Sequence, residues 1–245
     1  MEADYATLKD RFVKSQKLLV NLKRMFKIKD FKRTAILKYA WGLVPAGDDV
    51  NIEQRISILA DPQKYVTIGD VKEAKNENNQ HVYAYVTDGR MYFTANFYDL
   101  PKDDQVGTII HEAAHLFLDC YDHFLLKPPH TPTFEPDQEG VAYKGPAVMT
   151  GYESEGFHTL TDNAPHFTKY NADSYAVAAI MAWRIKDLTT EKEIEQALFS
   201  KHAFSSTRFG QDLHVHAGPS GSKSKSGSPK SDSGSGKSKG KGRRK

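Results

Sequence analysis

Residues 107–124 read GTIIHEAAHLFLDCYDHF, with a His-Glu-x-x-His pattern from His111 to His115. Histidines four apart project from one side of a helix, so their imidazoles can converge on a single ion. Glu112 then stands beside that ion, where it can take a proton from an activated water and pass it on. Val106, Ile109, Ile110, Ala113, Ala114, Leu116 and Phe117 make the surroundings apolar on nearly every side. The spacing therefore predicts a buried helix over roughly 103–120. Two histidines and a glutamate buried without partners would be strongly destabilising, and a bound metal removes that penalty.

Spacing does not fix a third ligand. An α-helix rises ~1.5 Å per residue, which puts Asp119 ~6 Å and Asp122 ~10 Å beyond His115 if the helix runs on. Asp122 reaches the histidines only if the helix ends and the chain turns back, a change that helps Asp119 little. His130, Asp137, Glu139, His158 and His166 downstream are further candidates, since zinc accepts histidine or carboxylate.

Upstream, HVYAYVT and RMYFTAN are alternating, aromatic-rich runs separated by Asp88-Gly89. Asp-Gly tolerates the positive φ angles of a tight hairpin turn, so residues 81–96 read as a β-hairpin. Pro101 followed by Asp103 and Asp104 has the chemistry of a helix start. Nearer the N-terminus, Leu8, Phe12, Ser15, Leu19, Leu22 and Phe26 alternate at four- and three-residue steps, one face of a long helix whose other face is basic. Two more helices are expected, from Phe31 to Trp41 and near Ile52 to Leu59, the first ending at Gly42. Downstream, residues 125–156 carry five prolines with little periodicity and read as a long loop. A mostly apolar helix over Ala172 to Ile185 and a short charged one over Glu191 to Phe199 complete the folded part.

From Gly218 the sequence becomes a Gly/Ser/Lys tail with nine Lys/Arg against one Asp, so the net charge of +3 averages an acidic body and a basic end. Such a tail cannot bury apolar surface and is expected to be disordered. It reads as a solubilising terminus, with an anionic partner such as nucleic acid as the alternative; no aromatics interleave its lysines for base stacking. Cys120 is the single cysteine among 245 residues, which excludes an internal disulfide. No apolar run is long enough to span a membrane, and the acidic N-terminus lacks the apolar stretch of a secretory signal. Localisation stays open.

The stretch AYVTDGRMYFTANFYDLPKDDQVGTIIHEAAHLFLDCYD, with NADSYA further on, resembles the aspzincin metallopeptidases, the deuterolysin and peptidyl-Lys metalloendopeptidase group, and within it the lysine-specific branch. The similarity covers about residues 81–185. It implies an α+β, mostly helical zincin-like domain with a small antiparallel sheet beside the active-site helix. It also implies one Zn2+ per chain held by His111, His115 and Asp122, with Glu112 catalytic. The family's aspartate lies in Gly-Thr-x-Asp-x-x-Tyr-Gly. Here Asp119 stands for that glycine, Cys120 for the threonine, and Leu125-Leu126 for Tyr-Gly, so the helix-ending glycine and the tyrosine are replaced. Tyr143 or Tyr152 could supply a hydroxyl instead. In the lysine-specific branch Asn-Ala-Asp-x-Tyr-Glu lines the pocket for lysine on the leaving-group side. Asp173 matches its first acid, while Ala176 replaces the glutamate, which weakens any discrimination for lysine. Asp173 also reads as a helix N-terminal acid complementing the dipole.

The expectation is a zinc metalloendopeptidase acting on protein or peptide substrates. It has an N-terminal helical part at 1–80, a catalytic core at 81–205 and a basic tail at 206–245. The alternatives are an inactive binding or structural module of the same fold, and a carrier for the tail.

Overall fold

In the computed structural model the residues described are 2–42, 44, 46–65, 72–73, 83–127, 133–136, 148–150, 157, 160–162, 165 and 167–199. The tail, and with it the anionic-partner reading, lies outside them.

Helix α1 (Glu2–Lys27) buries every position of the stripe read from the sequence, with Leu19, Leu22 and Phe26 fully covered. Ser15, the one polar member, is satisfied: its hydroxyl bonds to the carbonyls of Arg11 (2.8 Å) and Val106 (3.2 Å), tying α1 to the central helix. Helix α2 (Phe31–Trp41) starts where the Asp30 carboxylate accepts from the backbone N–H of Lys32 and Arg33. It stops at Gly42, whose φ of +74° disfavours any side chain. Helix α3 (Asp48–Leu59) begins four residues before the expected Ile52, because Asp48 and Asp49 suit its first turn.

Strands β1 (Lys72–Glu73), β2 (Ala84–Thr87) and β3 (Arg90–Phe93) form a sheet in the order β1-β3-β2, with β1 parallel to β3 and β2 antiparallel at an edge. The hairpin turn is the one expected, with positive φ at both Asp88 (50°) and Gly89 (68°). Tyr85 and Tyr92 are paired across the strands and stack at 5.1 Å. A short helix α4 (Ala95–Asp99) leads into α5 (Lys102–Leu118). The Gln105 amide donates to the carbonyls of Phe97 and Tyr98 and accepts from Arg11, which fixes the entry to α5.

Helix α5 packs against α1, α3, the hairpin and α6 (Ala172–Ile185). From Ala172 to Met181 nearly every residue of α6 is covered, as its apolar circumference requires. Its alanines let α5 approach closely, and Tyr175 stacks edge-on with Trp41, which in turn meets Phe26. Helix α7 (Glu191–Phe199) follows.

One expectation is corrected. The proline-rich stretch is not a continuous loop: β4 (His123–Lys127) pairs antiparallel with both β5 (Thr133–Pro136) and β6 (Val148–Thr150), in the order β5-β4-β6. These strands are three to five residues long, too short for an alternating pattern to register, and their pairing is non-local. Pro136 is tolerated because it ends an outer strand. Among the described residues no helix is long and apolar enough to cross a membrane.

Candidate metal centre

Helix α5 presents His111 and His115 on one side, and the turn that ends it decides what meets them. Asp119 closes the helix in the left-handed conformation (φ 50°, ψ 47°). Aspartate is one of the few residues besides glycine found in it, so the turn forms without a glycine. The chain then reverses, with the Cys120 N–H donating back to the Ala114 carbonyl (3.2 Å). Tyr121 forms a parallel bridge to Asn171, donating to the Tyr170 carbonyl (2.8 Å) and accepting from the Ala172 N–H (3.3 Å). The next residue is Asp122.

This reversal brings Asp122 Oδ1 to 3.3 Å from His111 Nε2 and Asp122 Oδ2 to 3.3 Å from His115 Nε2. The two Nε2 atoms are 3.0 Å apart. His111, His115 and Asp122 thus form a group that could hold a metal ion. Of the other candidate ligands, Asp119 caps the helix, and His130, Asp137, Glu139, His158 and His166 lie outside the described residues, as do Tyr143 and Tyr152.

The other face of each imidazole is committed. His111 Nδ1 is 2.6 Å from Asp173 Oδ1, and His115 Nδ1 is 2.7 Å from the Cys120 carbonyl. A carbonyl can only accept and a carboxylate here does the same, so both Nδ1 atoms carry hydrogen. In neutral imidazoles both Nε2 lone pairs therefore face one another and the Asp122 carboxylate. Asp122 Oδ1 is buried without a hydrogen-bond donor. Lone pairs and a carboxylate converging like this repel unless a proton or a metal cation lies among them. Ligands ~2.05 Å from a tetrahedral ion stand ~3.3 Å from each other, close to the separations found among these atoms.

Electrostatics follow from the same contacts. Burial on its own would depress His111, but the carboxylates of Asp122 and Asp173 outweigh it and leave the imidazole well above its ordinary value. His115 is raised in the same way, with Asp122 overcoming its burial. Burial pushes Asp122 up, while the two imidazoles more than reverse that and hold it well below the usual carboxylate range. Glu112, next to His111, is buried on α5.

Asp173 stands in the first turn of the helix over 172–185, as one of its two sequence readings has it. It is fully buried there, and its carboxylate is bonded to His111. Ala176 is equally inaccessible. A buried carboxylate bonded to an imidazole in this way can orient the ring. Sequence reasoning missed this bond and that of the Cys120 carbonyl. The only trace of the first was an acid at a helix start, and the second is a backbone atom.

No family model and no curated protein matches the chain. Among solved structures it is similar to a zinc peptidase from Grifola frondosa, with a TM-score of 0.51 and 15% identity over 73% of this chain and 95% of that one. The fold is therefore similar to that of this peptidase, mostly helical with a small sheet beside the helix that carries the two histidines. Within that fold, a His-His-Asp group able to hold a metal ion sits on α5 and the turn after it.

Proposed function

We propose that the protein is a zinc metalloendopeptidase of the aspzincin type, with His111, His115 and Asp122 as ligands and Glu112 as general base and acid. The observation that carries the reading is the pair of Nε2 atoms facing Asp122 while both Nδ1 atoms are engaged elsewhere. Two nitrogens and one carboxylate oxygen suit zinc with a position left for chemistry. Zinc there would supply Lewis acidity, polarising a peptide carbonyl and acidifying a water.

The chain's own groups do the rest. Asp173 and the Cys120 carbonyl fix the tautomer and orientation of the two imidazoles. Glu112 takes a proton from the attacking water and returns it to the leaving amine nitrogen. Strand β2, at the edge of its sheet, offers backbone groups to which an extended peptide substrate can add. Strict selection of lysine is not part of the proposal, because Asp173 is committed to His111 and position 176 is alanine.

Glu112→Gln in the zinc-loaded protein, assayed on a mixed peptide library, tests this. The expected result is a loss of hydrolysis of about 10²–10⁴-fold with zinc affinity kept. A wild-type protein that binds zinc and cleaves nothing would make this a binding module of the same fold.

A further inference from the structure

We infer that Arg55, on α3, is a positioning residue of the metal centre. It locks the turn after α5 in the shape that sets the Cys120 carbonyl on His115 and brings Asp122 to both histidines. The inference rests on the reading of His111, His115 and Asp122 as ligands.

The Arg55 guanidinium grips the turn on both sides of Asp119. Its Nη2 donates to the carbonyl of Leu118, the last residue of α5 (2.5 Å), and to Cys120 Sγ (3.3 Å). Helix-end carbonyls lack an intrahelical donor, so this bond satisfies an orphan as well as fixing the exit of the chain. The adjacent Nε donates to the Tyr175 hydroxyl (2.9 Å), which in turn donates to the Lys169 carbonyl (2.7 Å). The guanidinium also lies over the rings of Tyr170 (5.2 Å) and Tyr175 (6.0 Å).

Those contacts join α3, the end of α5, the 168–171 turn and α6. Each of these bears on a ligand. Cys120 carries the acceptor for His115, and the 168–171 turn holds Tyr121 through Tyr170 and leads to Asp173, the partner of His111. Asp122 follows directly from Tyr121. A planar group whose two neighbouring nitrogens carry donors in a rigid fork can bind three acceptors at fixed angles, whereas a lysine ammonium cannot span them. The turn runs through a non-glycine residue in the left-handed conformation, and Arg55 supplies bonds that keep it there.

The test uses the full chain and zinc itself. Zinc affinity is measured by chelator competition for wild type, Arg55→Met, Arg55→Lys and Leu19→Ala; the last loosens the α1 core and serves as a control for general destabilisation. In parallel, ¹⁵N spectra of the metal-free proteins at alkaline pH report the His115 tautomer. Arg55→Met is expected to weaken zinc binding about 10–100-fold, and Arg55→Lys by a smaller factor of ~3–10. Leu19→Ala should stay within about twofold of wild type. His115 should lose its uniform Nδ1–H tautomer in the methionine variant.

Arg55 variants that hold zinc as tightly as wild type, with His115 unchanged, would overturn the inference and leave Arg55 an ordinary packing residue. If Arg55→Met does not fold, Arg55→Lys decides the matter on the same two readouts. If no protein binds zinc, the metal reading falls, and the His115 tautomer alone decides whether Arg55 positions it.

Discussion

Replacing Asp173 separates two roles that one carboxylate could play. Its Oδ1 lies 2.6 Å from His111 Nδ1 in a site with no exposure. A hydrogen bond of this charge-assisted kind contributes about 1.5–3 kcal/mol net, roughly twice a neutral one. Asp173→Asn keeps the shape and an acceptor oxygen, so only the charged share is lost, ~1–1.5 kcal/mol, or about 5–10-fold in zinc affinity. Asp173→Ala removes the acceptor and leaves a buried N–H without a partner, for an expected loss of about 30–100-fold. Chelator competition at fixed pH measures both, and a matched set of peptides with Lys, Arg or Leu after the scissile bond measures selectivity. An orienting carboxylate predicts weaker zinc binding and a similar fall in rate on all three peptides. Zinc affinity unchanged in Asp173→Ala, with a selective loss on the Lys peptide, would refute this reasoning and return Asp173 to the substrate pocket.

Protonation opposes the metal, because zinc takes neutral imidazoles. His111 and His115 are raised in the metal-free protein, so zinc uptake should release protons and weaken on acidification starting above the ordinary value of about 6.5; calorimetry in buffers of different ionisation enthalpy reads this. The raised histidines stabilise the metal-free fold fully below about 6.5 and lose that contribution as pH rises through their folded values, while the depressed Asp122 contributes above about 3.9 and loses it as pH falls. The metal-free protein should therefore have its highest Tm in the mildly acidic window between these limits, with zinc moving the optimum upward; an optimum that zinc leaves in place would contradict this. Cys120 is buried, and burial pushes its thiol up to about 12 against the opposing pull of Arg55. At pH 8 it should expose on the order of 10³-fold less thiolate than an unfolded cysteine, so a thiol reagent should label it quickly only after denaturation. Gly42→Ala would place a Cβ 2.3 Å from the Thr161 carbonyl oxygen at a φ of +74°; we expect a loss of about 2–4 kcal/mol, seen as a Tm lower by roughly 5–15 °C with zinc affinity kept.

The sequence by itself determined the elements with strong local signals. The α1 stripe, the Asp-Gly hairpin, the apolar α6 and the His-Glu-x-x-His helix all stand where periodicity and turn chemistry put them, because each is specified by residues within a few positions of one another. It also put two histidines on one side of a buried helix. The resemblance named Asp122 beside them, and the tertiary structure decided how it gets there and what else surrounds them. Asp122 reaches the histidines because Asp119 takes the left-handed conformation and Tyr121 pairs with the segment before α6, and no local pattern encodes that pairing. The same holds for Asp173, which comes from 62 residues away to meet His111, for Arg55 on α3, and for the short strands among the prolines. A lone carboxylate, a backbone carbonyl or a single arginine has no periodicity to read; its role exists only once packing has brought its partner within hydrogen-bond distance.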